Sequence, residues 1–206
     1  MKNNWVLLLL MLVLGCSSLK RNQPNNFNVA QRQMILNAEN ETPMRVFKIN
    51  NKKDSLVLRM KSTYVKPNSE DVILKRFVDR LFATVRDSMS MGVGIAAPQV
   101  GILKNIIWVQ RFDKDQFPFE VYLNPKIIHY SKVKLKRREG CLSIPNRRDT
   151  LNIRSKVIDV EYDTMQGEHV RESISDFTSI IFQHEIDHLN GILYLDHLEK
   201  EINEAN

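Results

Sequence analysis

The chain has 206 residues, 43% of them hydrophobic and 26% charged, with a net charge of +6. The length fits one domain of ordinary size and the composition is globular. The charge is modest and spread along the chain, which argues against a nucleic-acid-binding protein, so no nucleic-acid partner is expected. There are two cysteines, Cys16 and Cys141. Each has a local explanation, and neither is expected in a structural disulfide.

Lys2 is followed by an unbroken apolar run of ten residues, 5–14. That is too short to span a bilayer as a helix and fits the apolar region of a signal peptide. Val13-Leu14-Gly15-Cys16 then resembles the bacterial lipobox, in which the signal is cut before a cysteine that becomes lipidated; Val13 stands where Leu is commoner. Residues 1–15 are therefore expected to be a lipoprotein signal, with an ordinary signal peptide or a short uncleaved anchor as alternatives. Lipidation of Cys16 would tether the chain to the membrane in the cell envelope. Residues 16–42 are polar, rich in Asn and Gln, and read as a tether with a short helix around 29–36. The folded domain is expected over residues 43–206.

Residues 44–49 are a weak first strand or an irregular lead-in. Pro67-Asn68-Ser69 announces a helix, capped by Asn68 or Ser69, with Glu70 and Asp71 in its first turn. Leu74, Phe77, Val78, Leu81 and Val85 recur at helical spacing, so this is a core helix with no chemistry of its own. The following stretch, Gly92-Val-Gly-Ile-Ala-Ala-Pro-Gln-Val-Gly101, holds no large side chain, and a backbone or ligand can approach it closely. As a nucleotide loop it fails, because the third glycine is misplaced and no strand precedes it. Taken alone it reads as a tight structural turn.

Residues 105–110 and 120–123 are strand-like, the second ending at Asn124-Pro125. Residues 126–130 and 133–137 read as further strands. Residues 157–162 alternate well and join through 164–167 to 168–174 as a hairpin would. The basic run at 132–138 alternates with apolar residues and reads as the solvated face of a strand. Helix first, strands in the middle and helix last give an α+β fold with a mixed or antiparallel sheet.

The last helix carries His184, Glu185 and His188 in the pattern H-E-x-x-H. Residues four apart share a helix face, so the two histidines can bind one metal ion while Glu185 reaches a water beside it. Ser173-x-x-Asp176 reads as a capping box before this helix and Gly191 as its stop. The motif has few fixed positions, and a metal needs a further protein ligand. Cys141, in the turn-like Glu139-Gly-Cys-Leu-Ser-Ile-Pro145, is either a small buried hydrophobe or that ligand; its pairing with the histidine motif favours the ligand.

Three ordered blocks, Gly92–Gln99, Glu139–Ser143 and Gln183–Gly191, resemble those of peptide deformylases, and all three are intact. The resemblance runs from about Met44 to Leu198. It implies that Cys141, His184 and His188 hold one divalent ion, Fe²⁺ in many members and Zn²⁺ or Ni²⁺ in others. It implies that Glu185 shuttles the proton of the attacking water, and that Gln99 and the backbone N–H of Leu142 stabilise the oxyanion. The backbone at Val93 and Gly94 would pair with an N-formylated peptide as an added strand, and its methionine would enter a pocket against Val93, Phe177, Ile180 and Ile181. Glu139 and Arg148 would support the site from behind. The products would be formate and a free amino terminus. Members of the family usually act in the cytosol on nascent chains, so an export signal is a departure. It makes Zn²⁺ more plausible, because an exported Fe²⁺–thiolate site faces oxidation.

Two other readings compete. An H-E-x-x-H metallopeptidase would need a third ligand at position 194, which is Tyr194, or from Glu199, Glu201 or Glu204 in a tail with no clear helix. A lipid-anchored, non-catalytic peptide-binding module would be signalled by loss of a ligand or of Glu185, and none is lost.

Overall fold

The computed structural model describes residues 26–87 and 91–205. The expected signal segment and Cys16 lie outside the described residues. Three helices open the chain: α1 (Val29–Leu36), α2 (Lys52–Leu58) and α3 (Val72–Arg86). Strand β1 (Gly94–Ala96) runs into a short 3-10 turn, Ala97–Val100. Then come β2 (Ile106–Gln110), β3 (Phe119–Tyr130), β4 (Lys134–Cys141), β5 (Ile144–Ser155), β6 (Val157–Asp163) and β7 (His169–Ser175). Two helices, α4 (Asp176–Leu189) and α5 (Tyr194–Ala205), close the chain.

The named strands pair antiparallel throughout. One sheet has the order β1-β2-β3-β6-β7, and β4 and β5 form a separate two-stranded ladder. Helix α3 buries Leu74, Phe77, Leu81 and Val85, the face its spacing defines. Helix α4 is buried nearly all round, with polar residues such as Ser179, Gln183, Glu185 and His188 buried beside its apolar ones. Its Ile181, Phe182, Ile186 and Leu189 pack with Ile107, Val109, Tyr122, Ile158 and Val160 from the sheet. Each such side chain contributes roughly 1.5–3 kcal/mol. The H-E-x-x-H motif therefore rides on a helix fixed by the sheet along most of its length. No helix among the described residues is long and apolar enough to cross a membrane.

Several expectations are corrected. Residues 26–42 are not a free tether. Phe27 and Ile35 are buried in the core beside α3, and α1 is capped by a reciprocal Asn28–Gln31 box. The buried Arg80 donates to the carbonyls of Met34, Ile35 and Thr42 and to the Asn37 side chain, which fastens the segment down. The cap of α3 is Asp71, which accepts from the backbone N–H groups of Ile73 and Leu74. Asn68 instead accepts from Glu70 N–H, a turn that precedes the helix. Ser173 lies on β7, so Ser173-x-x-Asp176 is no capping box; Ser175 occupies the N-cap position without a side-chain cap.

Strand β3 does not end at Asn124-Pro125. Asn124 takes a left-handed backbone, φ 52°, and the pairing with β6 shifts register there. Its amide donates to Val65 C=O and the Asp163 carboxylate and accepts from Val65 N–H, which carries the strand through the irregularity. Residues 44–49 are the irregular lead-in, not a strand. Phe47 N–H donates to Gln99 C=O and Ile49 N–H to Ser143 C=O, stitching the first two motif blocks together. Gly191, at φ 73°, does end α4. The chain after it is helical, contrary to the expectation for the tail.

Candidate active site

Cys141 closes β4, and Leu142 and Ser143 make the turn into β5. His184 and His188 stand one turn apart on α4, with ring centroids 5.1 Å from each other. The Cys141 sulfur is 3.2 Å from Nε2 of His188. The ligand atoms of these three residues all lie within 4.8 Å of one another.

Glu139 is only 6% exposed. Its carboxylate accepts from Nδ1 of His184 at 2.9 Å and from Arg154 at 2.7 and 3.0 Å. With its Nδ1 proton spent in this way, His184 turns the lone pair of Nε2 toward the cysteine. Burial raises the pKa of Glu139, but the hydrogen bonds from His184 and Arg154 outweigh it and bring the value down to about 2. Burial also opposes ionisation of Cys141, yet the charges and hydrogen bonds of His188 and His184 hold its pKa well below the usual thiol value. Burial pushes Glu185 the other way, up to about 7; His184 and His188 resist, and the negative charges of Cys141 and Glu139 add to the rise.

Two buried atoms here, Oε2 of Glu185 and Nδ1 of His188, have no hydrogen-bond partner among the described residues. A half-buried thiolate, two converging imidazoles and a carboxylate with an unspent oxygen fit a divalent transition-metal ion with a water beside it.

Gln99, in the 3-10 turn, accepts from Ala96 N–H through its Oε1 at 2.9 Å. That turns its Nε2 toward the Cys141 sulfur at 3.6 Å and Ser143 Oγ at 3.3 Å. Val93, Gly94, Leu142, Phe177, Ile180 and Ile181 line one cleft of about 640 Å³ together with Cys141, His184 and Glu185. Gly94 has a steric reason to be glycine. A Cβ there would meet Glu185 Oε1 at 2.5 Å and Ile181 at 2.8 Å.

Arg148 is placed differently from the expectation. It is exposed on β5 opposite Gly140 and makes no ion pair among the described residues. Arg154 does the work expected of it, gripping Glu139 and also Asp187 at 2.6 Å. The two arginines are six positions apart and would share a face of a regular strand. Between the pairs Arg137–Leu151 and Leu135–Arg154, however, β5 carries an extra residue, which flips Arg154 inward. No local sequence signal announces that bulge. Asp187, a wildcard position of the motif, also meets Nε2 of His197 on α5 at 2.8 Å.

The alternative ligands fall elsewhere. Tyr194 donates its hydroxyl to Asp149, and the Glu201 carboxylate is spent on Asn152.

An antiparallel α+β body with a Cys-His-His cluster beside a helix-borne glutamate defines the class: a metallohydrolase. The polypeptide deformylase family model matches residues 43–204. Peptide deformylase 2 of Nostoc sp. is 36% identical over 152 residues, 71% of this chain and 83% of that protein. The peptide deformylase of Pseudothermotoga lettingae is 38% identical over 142 residues, 68% of this chain and 76% of that one. Among solved structures, the Met-Ala-Ser-bound class I type b peptide deformylase of Acinetobacter baumannii aligns with a TM-score of 0.66 at 33% identity, covering 76% of this chain and 99% of that one. The Thermotoga maritima peptide deformylase aligns with a TM-score of 0.65 at 32% identity, covering 75% and 97%. The chain belongs to the peptide deformylase family, whose members are metal-dependent hydrolases.

Proposed function

We propose that this chain hydrolyses the formyl amide of N-formylmethionyl peptides, releasing formate and a free amino terminus. The observation that carries the reading is the convergence of Cys141, His184 and His188 within 4.8 Å, in the cleft that Gly94 and Glu185 also line. Those three residues would hold one divalent ion. When bound, the ion supplies Lewis acidity toward water and the amide carbonyl.

The side chains do the rest. Glu185, with its pKa raised to about 7, takes a proton from the attacking water and returns it to the leaving amine. Nε2 of Gln99 and the backbone N–H of Leu142 donate to the oxygen on the formyl carbon as charge builds there. Glu139, charged and gripped by Arg154, holds the His184 ring in place. The Val93 carbonyl is already spent on Gln110 N–H. By antiparallel alternation the N–H and C=O of Gly94 therefore face away from β2, where an extended peptide can pair. Methionine enters among Val93, Phe177, Ile180 and Ile181.

The test is formate release from formyl-Met-Ala-Ser against the unformylated and acetylated peptides. Cleavage within the peptide without formate would point to a metallopeptidase instead. Cys141→Ala should lose metal as well as rate; full occupancy in that variant would remove Cys141 from the ligand set.

We further propose that the chain is an envelope lipoprotein anchored through Cys16, a setting that favours Zn²⁺ over the Fe²⁺ common in the family. The supports are the apolar run at 5–14, the cysteine after Gly15 and the oxidation hazard of an exported Fe²⁺–thiolate site. Labelled palmitate incorporation in wild type but not Cys16→Ser, with metal analysis of protein purified without added ions, checks both points. A soluble, unlabelled wild-type chain would remove the lipid anchor and leave an ordinary signal peptide or a cytosolic protein.

A further inference from the structure

The basic run at 132–138 plays no part in the chemistry above, but its last two residues reach the cleft. Arg137 and Arg138 line the same space of about 640 Å³ as Cys141, His184 and Glu185, joined there by Lys48, Arg147 and Arg148. The two acids among the lining residues, Glu139 and Glu185, are buried at 6% and 4% exposure, and Glu139 is spent on Arg154 and His184. They offer the rim no balancing charge.

The five cations are not equivalent. Arg147 is matched by Asp149 at 2.7 Å. The Arg137 guanidinium lies over the Phe177 ring, 4.2 Å from its centroid, at the wall of the methionine pocket. Lys48, Arg138 and Arg148 are exposed and form no ion pair among the described residues; Arg138 reaches Asp149 only through space. On the β4–β5 ladder Arg138 faces Thr150 and Arg148 faces Gly140, so the two arginines are diagonal neighbours on one surface.

On the deformylase reading the formyl-methionine end would fill the deep part of the cleft by Cys141, His184 and Glu185, and the residues after methionine would leave past this rim. We propose that Arg138 and Arg148, with Lys48, form a subsite for acidic side chains. The chain would then favour formylated peptides bearing Asp or Glu in the two or three residues that follow methionine. This inference rests on the deformylase reading. A nucleic acid fits the rim less well. Proteins that bind duplexes through the backbone neutralise roughly 6–10 phosphates, whereas the unmatched cations here are few and share the cleft with the reacting atoms.

An exposed ion pair contributes about threefold in affinity, within a range that reaches about fivefold, so two acidic residues give roughly tenfold. The experiment compares kcat/KM of the full chain on formyl-Met-Ala-Ser, formyl-Met-Asp-Glu and formyl-Met-Lys-Lys, at low salt and at about 1 M, where the screening length falls to about 3 Å. The expected ranking is acidic, then neutral, then basic. The acidic peptide should lead the neutral one by roughly tenfold at low salt, through KM, and the spread should collapse at high salt. In Arg138→Glu/Arg148→Glu, and more weakly in Lys48→Glu, the acidic-to-basic ratio should fall to one or invert. Equal kcat/KM for the three peptides, or an unchanged ratio in the variants, overturns the subsite. So does a single-stranded RNA that blocks the wild type at concentrations where formyl-Met-Asp-Glu is not yet bound. Absence of formate from every peptide instead overturns the deformylase reading, and the subsite with it.

Discussion

Two polar clusters in this protein, each built on a buried arginine paired with glutamate, are put to opposite ends. Arg111, with a side chain 1% exposed, sits among Asp113, Glu120, Tyr122 and Glu172. Its guanidinium donates to both oxygens of Asp113, to both of Glu172, and to Tyr122, so it is fully engaged. The Cys141–His184–His188 cluster is satisfied only at its back, through Glu139 and Arg154. At its front, Glu185 Oε2 is left unpartnered among the described residues, and so is His188 Nδ1 on the ring edge away from Cys141. An unpaired buried polar group costs about 1–3 kcal/mol. The first cluster spends its polarity on rigidity, and the second keeps part of it for a ligand and a reaction.

That contrast can be broken by experiment. The largest effect is expected from Arg111→Ala, which strands carboxylates around a buried gap. Unfolding in urea should show a loss of about 3 kcal/mol, the low end for breaking a buried pair because the carboxylates are 24–31% exposed, with the metal-to-protein ratio of the folded fraction unchanged. An unshifted midpoint would mean that the satisfied cluster is not structural. Glu185→Ala should do the reverse. Formate release should slow about a hundred-fold or more, while metal content holds and stability stays level or rises. Unchanged turnover would remove Glu185 from the proton path.

Gly94→Ala sharpens the comparison, since its new Cβ would press on Glu185 Oε1 at 2.5 Å without removing any group. A displacement of that kind costs up to about a hundred-fold in rate, and we expect a drop of roughly tenfold with metal retained. Wild-type turnover would show that the carboxylate has room to move. The smallest effect is the acid dependence set by Glu139. Its pKa is depressed to about 2, so its contribution to stability is complete above the ordinary carboxylate value and fades as pH falls toward 2. Between pH about 5 and about 3, wild type should therefore lose more stability than Glu139→Gln; parallel curves would contradict the assignment.

The sequence is most legible where a single short segment carries the pattern. The histidine pair, the thiolate turn and the α3 face are local periodicities, and the fold keeps them. What stayed hidden depends on distant partners. Residues 26–42 look like a tether because their composition is polar, yet two buried apolar side chains, Phe27 and Ile35, and Arg80 from another helix hold them in place. Asn124 looks like the end of a strand because its side-chain bonds to Val65 and Asp163 cannot be read from its neighbours. Arg154 was overshadowed by Arg148 because one extra residue in β5 reverses which of them points inward.

The grip on Asp187 extends past the site. His197 on α5 and Arg154 on β5 both hold that carboxylate, and Arg154 in turn holds the partner of His184. The closing helix is thus wired to the first histidine of the motif, and the supposedly free letters of H-E-x-x-H are not interchangeable. Trimming the chain before His197 would loosen a ligand that the cut never touches.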